Sequence, residues 1–129
     1  MQLNSAQHHL LTLLRVATRP LTAYALLDGA RDAGVRAPTQ VYRALDKLMA
    51  LGLVHRLDSL NAYVACTQPL TCRPGHAAFA ICDDCGAVDE FDDAALGRAL
   101  GRWARSSAFA LRKTAIELHG QCAACAGAP

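Results

Sequence analysis

No stretch of this chain approaches the ~20 consecutive apolar residues that a membrane-spanning helix needs. The N-terminus also lacks the layered arrangement of a secretory signal. A soluble, cytoplasmic protein without membrane association is therefore expected. A strong charge excess is missing too. Thirteen basic residues against 11 acidic ones leave a net +2, so a nucleic-acid partner must be met by a local basic surface. No internal repeat appears, and no low-complexity segment beyond alanine richness. The apparatus of catalysis is equally absent: no paired carboxylates, nucleophile elbow or phosphate loop is visible. A zinc deaminase would show His-x-Glu and Pro-Cys-x2-Cys. Here His76 is followed by Ala77-Ala78, and Ile81 precedes Cys82. Neither an enzymatic activity nor a small-molecule substrate is expected.

What the chain does have is an apolar majority and paired thiols. With 129 residues, 53% apolar and 19% charged, it is globular and can bury one good core, or two small ones that share support. Six cysteines could suggest a disulfide scaffold, but four of them stand as Cys82-x2-Cys85 and Cys122-x2-Cys125. Two thiols separated by two residues are the usual bite of a chain turning around zinc, and Gly86 permits the tight turn after the second ligand. Four thiolates close a tetrahedral shell and leave no open position, so this ion is structural rather than catalytic. The 36 residues between the pairs exceed the ~15–20 of a compact zinc ribbon, so secondary structure must fill the gap.

Along the chain, Ser5 caps a first helix carrying Leu10, Leu11, Leu14 and Ala17, which ends before Pro20. Thr22 caps a second, Ala23 to Ala33, with Tyr24, Leu27 and Ala30 on one stripe. Pro38 opens a third, ended by Gly52, with Val41, Leu45, Leu48 and Met49 inward. Gln40, Arg43 and Lys47 share its other face with Arg36 just upstream. A hairpin follows, 53–57 and 62–66 about a turn at 58–61, which completes a winged helix-turn-helix. In that arrangement the third helix enters the major groove. Arg43 reads a base, and Lys47 and Arg56 meet phosphates. An ordinary amphipathic helix with solvated charges would show the same periodicity.

Residues 67–75, with Pro69 and Pro74, read as a hinge between a DNA-binding domain, 1–66, and a second domain, 76–129. In the second domain a strand, Ala77 to Ile81, precedes the first thiol pair. A short strand, Ala87 to Phe91, comes next, then a helix capped by Asp92 with Leu96, Leu100 and Trp103 on one face. A last strand runs Leu111 to Leu118. Trp103 is read as core or dimer-interface bulk. The fold class expected is α+β, a winged helix followed by a small α/β unit with a four-cysteine zinc site.

These residues together resemble the ferric uptake regulator family, and most closely its zinc uptake regulator branch. The likeness is carried by Leu21-Thr22-Ala23-Tyr24, by Pro38 to Asp46, and by Gly52 to Arg56. Asn61 to Cys66, Ile81 to Glu90 and His119 to Cys125 complete it. Gln40 is an extra residue relative to the commoner Pro-Thr-Val-Tyr-Arg form. The resemblance implies a C-terminal dimerisation domain and a zinc-loaded homodimer that binds operator DNA and represses zinc-uptake genes. It implies two zinc ions per chain. Cys82, Cys85, Cys122 and Cys125 match the structural ligands, while His55, Cys66, His76 and Glu90 match the regulatory ones. His76 falls a residue nearer Cys82 than in some relatives, which makes Cys72 a substitute ligand. Tyr42 and Arg43 match the DNA-contacting pair, and His119 a position that holds a further metal in some relatives.

The regulatory set makes physical sense unaided. His55 and Cys66 sit on the two arms of the wing, His76 and Glu90 in the second domain, so one ion on all four bridges the hinge. One thiolate, two imidazoles and a carboxylate suit zinc; a ferrous sensor would more naturally use nitrogen and oxygen alone. Iron- or peroxide-sensing members of the same family are the competing reading, and a zinc-ribbon protein-interaction module is a more distant one.

Overall fold

A computed structural model describes residues 2–67 and 76–127, with His76 described by its backbone alone. The expected hinge falls almost wholly outside the described residues, and so does Cys72. Helix α1 (Ser5–Val16) is capped by Asn4, not Ser5. The Asn4 carboxamide oxygen accepts from the Gln7 N–H at 2.8 Å, and the Gln7 side chain accepts from the Asn4 N–H at 3.0 Å. This reciprocal pair favours Asn4 because a glutamine stands three residues on. Helix α2 (Ala23–Gly29) starts where expected, with Thr22 accepting from Ala25 at 3.1 Å, but it does not run to Ala33. A short 3-10 turn, Arg31–Ala33, follows instead, and Gly34 closes it at φ 85°. A Cβ on Gly29 would come within 3.0 Å of Leu13, so glycine at that position lets α1 approach the end of the helix. Tyr24 does not join the buried stripe. It is 70% exposed, and Ala23, Leu26 and Leu27 are buried instead.

Helix α3 (Pro38–Ala50) begins on its proline and buries Val41, Ala44, Leu45 and Leu48. The Gln40 side-chain oxygen accepts from the backbone N–H of Arg36 (2.7 Å) and Ala37 (3.0 Å). Two donors left over at the helix start are thereby satisfied, and the extra residue acts as part of the cap. Strands β1 (Val54–Leu57) and β2 (Ala62–Ala65) form the antiparallel wing, and Leu21 bridges to Tyr63 as a third edge. Leu10, Leu26, Val41, Leu45, Leu48 and Val54 are essentially inaccessible to solvent at the centre of this unit. Burial of each such side chain contributes about 1.5–3 kcal/mol relative to exposure.

The second unit is a three-stranded sheet in the order β4-β3-β5. Strand β3 (His76–Cys82) is central, antiparallel to β4 (Val88–Glu90) and parallel to β5 (Thr114–Gly120). Helix α4 (Ala94–Ser106), capped by Asp93 rather than Asp92, provides the crossover. These strands lie within a few residues of their expected spans. The expected α4 face is only half-buried at Leu96 and Leu100, and Trp103 is 58% exposed with Phe109 beside it at 5.5 Å. Ala104 is the one fully buried residue of that helix. Among the described residues no helix is long and apolar enough to cross a membrane.

The wing and the sheet share a small core. Leu57 of β1 packs with Phe79 and Ile81 of β3, flanked by Val64 and Val88. Strand alternation fixes what else faces the wing. Phe79 pairs with Glu90 on one side and Glu117 on the other, and Ile81 pairs with His119. Two carboxylates therefore flank Phe79 in a single row across the sheet, both on its wing-facing surface.

Candidate metal centres and DNA-reading helix

The four paired thiols converge. Cys82 ends β3, its carbonyl accepts from Gly86 N–H at 3.0 Å, and Gly86 takes φ 78°, as a thiol-bearing turn requires. The parallel register sets Cys82 opposite Gly120, and Asp83 N–H donates to Gly120 O at 2.8 Å, which brings the second pair alongside. Cys82, Cys85, Cys122 and Cys125 lie with their sulfurs within 4.8 Å of one another, none in a disulfide. Cys85 and Cys122 are 3.8 Å apart. Tetrahedral Zn–S bonds of ~2.3 Å give sulfur separations of about that length, so the cage fits a zinc ion. Backbone N–H groups of Cys122 and Cys85 pull Cys82 down to about 6, while hydrogen bonds with Cys122, Cys82 and Cys85 push Cys125 up to about 12. Four thiolates this close become simultaneously charged only around a shared cation.

The second cluster straddles the two units. His55 lies on β1, Cys66 follows β2, and Glu90 ends β4, with one ligating atom of each within 4.8 Å of the others. His55 is 7% exposed, and Phe79 braces its ring edge-on at 5.5 Å. Its Nε2 is buried without a properly formed hydrogen bond, 3.4 Å from Glu90 Oε2. The Cys66 sulfur is 3.5 Å from the same oxygen. Glu90 Oε1 accepts from Thr67 N–H at 2.9 Å and from its hydroxyl at 3.2 Å. Burial would raise the Glu90 carboxyl, but the adjacent His55 imidazole and the hydrogen bonds from Thr67 outweigh it and hold the group below its ordinary value. An imidazole nitrogen, a cysteine sulfur and a carboxylate this close together make a donor set suited to zinc once that sulfur is a thiolate. Cys66 is disulfide-bonded, so its sulfur can serve an ion only as the reduced thiolate. The His76 side chain and Cys72 lie outside the described residues.

On α3 the outward face carries Tyr42 (44% exposed), Arg43 and Lys47, with Arg36 exposed just before it. Arg56 is tied within the wing, donating to Asp58 at 3.0 Å and to Asn61 at 2.8 Å. Sequence reasoning missed two polar groups. One is Thr67, which holds Glu90. The other is Glu117, whose carboxylate accepts from the wing turn at Asp58 N–H (2.7 Å) and Ser59 N–H (3.0 Å). The alternation of Glu117 with His119 along a strand was the available signal. His119 itself is engaged on both ring nitrogens, by Asp83 at 3.1 Å and by the Ser59 hydroxyl at 2.9 Å.

A winged helix carried on a small sheet with a four-thiol cage defines a metal-linked DNA-binding regulator. Residues 24–119 match the model of the ferric uptake regulator family, and the chain belongs to that family. It is 44% identical over 117 residues to the zinc uptake regulation protein of Escherichia coli (strain K12), covering 89% of this chain and 67% of that one. Among solved structures, a zinc uptake regulator complexed with zinc and DNA superposes with a TM-score of 0.89 at 38% identity, covering 98% of this chain and 85% of that one. The regulator XcZur matches in two states. Its holo form gives a TM-score of 0.89 at 41% identity, covering 99% of this chain and 89% of that one. Its apo form gives 0.50 at 40% identity, covering 98% and 86%.

Proposed function

We propose that this chain is a zinc-responsive transcriptional repressor of zinc-uptake genes, acting in the cytoplasm as a metal-loaded homodimer on operator DNA. The observation that carries this reading is the His55, Cys66 and Glu90 cluster, whose members come from both units and whose His55 Nε2 has no hydrogen-bonding partner among the described residues. The reading takes residues 1–66 as the DNA-binding domain, 67–75 as the hinge and 76–129 as the dimerisation and metal domain. Cys82, Cys85, Cys122 and Cys125 hold a structural zinc. His55, Cys66 and Glu90, completed by His76 or Cys72, hold a regulatory one, giving two per chain.

The mechanism lies in the straddling. A regulatory zinc supplies one charge centre that His55, Cys66 and Glu90 can share only when wing and sheet are together. Differential affinity for that arrangement selects one orientation of the reading head. The two states of XcZur support this, because sequence identity differs by a single percentage point, 41% against 40%, while the TM-score falls from 0.89 to 0.50. In the selected orientation Arg43 and Tyr42 face base edges and Arg36, Lys47 and Arg56 face the backbone, while Gln40 acts from the helix cap by holding the Arg36 and Ala37 amides. Exposed Trp103, Phe109 and Leu118 give the second unit apolar surface for a second copy of the chain. A coupling of ~1–3 kcal/mol changes DNA affinity some 5- to 150-fold, so a paired assembly sharpens the response.

The test is metal per chain on reduced protein before and after mild chelation, followed by binding to duplexes selected from a random library at buffered zinc. Two zinc ions, one removable without unfolding, with DNA binding that follows the removable one, are expected. One tightly held ion, or DNA binding indifferent to zinc, would refute the regulatory site.

A further inference from the structure

The wing is gripped at two places, and only one of them is a metal site. Phe79 has Glu90 on its β4 side and Glu117 on its β5 side, so both carboxylates emerge from one row of the sheet toward the hairpin. Glu90 meets the base of the wing at His55 and Thr67. Glu117 meets its tip, 27 residues further along the chain. There a single carboxylate accepts three hydrogen bonds: from Asp58 N–H at 2.7 Å, from Ser59 N–H at 3.0 Å, and from the Ser59 hydroxyl. The Ser59 hydroxyl oxygen also meets His119 Nε2 at 2.9 Å, and His119 Nδ1 is held by Asp83 at 3.1 Å. Asp83 follows Cys82 directly, so the chain of contacts runs from the wing tip to the four-thiol turn.

These contacts exist only while wing and sheet are together. Separation returns the two amides and the carboxylate to water. Hydrogen bonds to an ionised acceptor are about twice as strong as neutral ones, and three on one carboxylate give a directional grip. Leu57, Phe79 and Ile81 supply apolar contact between the same surfaces, but that contact does not define the angle at which the wing tip sits.

We propose that Glu117 is a positioning residue of the regulator: it clasps the wing turn at Asp58 and Ser59, and so stabilises the same closed orientation that the regulatory zinc selects. This rests on the reading of His55, Cys66 and Glu90 as a removable zinc site. By linkage, whatever favours the closed orientation raises zinc affinity at that remote site without touching the ion. Ser59 is the partner of the clasp, and His119 orients the Ser59 hydroxyl.

The experiment uses the full-length, reduced protein and Zn2+ in a chelator buffer. In wild type at saturating zinc, the Asp58 and Ser59 amides should be protected from hydrogen exchange. In Glu117→Gln they should exchange freely. The dissociation constant of the removable zinc should rise by about tenfold, within the range usual for such couplings. Ser59→Ala, which removes one donor of three, should move both readouts the same way by less. Zinc retained by the four cysteines reports that each variant is folded. Unprotected Asp58 and Ser59 amides in zinc-loaded wild type overturn the clasp. So does Glu117→Gln with free amides and an unchanged zinc constant, which would make the contact local to the wing. A wild-type chain that holds a single zinc sinks the regulatory reading and with it the role of Glu117 in zinc binding. The amides would still report whether the contact forms.

Discussion

The four-thiol cage and the His55, Cys66 and Glu90 cluster use similar donors, yet they stand in opposite relations to the fold. All four sulfurs of the cage come from one unit, from turns stitched together by the β3–β5 ladder. The second cluster takes two donors from the wing and one from the sheet. A site closed within one unit can only stabilise that unit. A site divided between two units gains or loses its geometry as they move, so its occupancy carries information about their orientation. Donor chemistry does not distinguish the two clusters; the placement of the donors on the chain does.

The contrast breaks most completely at the cage. Cys82→Ser or Cys122→Ser leaves three thiols, and a structural zinc site contributes on the order of 10 kcal/mol to folding. The expected result is loss of bound zinc and of the second unit's ordered secondary structure, read by metal analysis and circular dichroism. A variant that keeps its structure without zinc would show that the sheet stands without its ion.

At the second cluster the expected loss is of regulation rather than of fold. Cys66→Ala should retain the cage zinc and a cooperative thermal transition, and it should no longer show any zinc dependence in DNA binding. The same loss is expected for the unmodified protein under oxidising conditions, with recovery on adding a reductant, because a disulfide-bonded Cys66 offers no thiolate to an ion. A Cys66→Ala protein that still needs zinc to bind DNA would transfer the sensing role to other residues.

A change on α3 touches neither cluster and serves as the control. Arg43→Ala should leave both zinc constants alone and weaken binding by about 1–3 kcal/mol, with relaxed preference at one base position of each half-site. Equilibrium binding to duplexes varied one position at a time measures it.

Acid should act mildly and on the closed orientation. Glu117 is stripped of some solvent, which would raise its carboxyl. Donation from Ser59 and Asp58, together with the nearby His119, holds it below the ordinary 4.5. A folded value below the unfolded one means that the contribution is present above about pH 4.5 and is lost as pH falls through the lowered value. Protection of the Asp58 and Ser59 amides should therefore fade below that pH in wild type, and show no such step in Glu117→Gln.

Much of this was legible without coordinates, for local reasons. Proline at the start of α3 and the glycine that follows it delimit that helix because both act through their own backbone angles. The two Cys-x2-Cys pairs announce a cage because two intervening residues fix the bite of each pair. Where the reading slipped, a distant neighbour intervened. Helix α2 gives way to a 3-10 turn just after Gly29, the residue that accommodates Leu13 of another helix, and Tyr24 is exposed while Ala23, Leu26 and Leu27 are buried against the rest of the unit. Gln40 looked like a groove-facing side chain, and its oxygen is turned back on the amides of Arg36 and Ala37.

The sequence by itself therefore determined the winged helix, the strand–helix order of the second unit and the identity of the paired thiols. Each depends on contacts within a few residues or on a periodic pattern. Only the tertiary structure decided that Glu90 and Glu117 share a row about Phe79, and that this row meets the wing at its base and its tip. Strand register and the seating of one unit on another arise from packing among residues dozens of positions apart, and no local spacing encodes them.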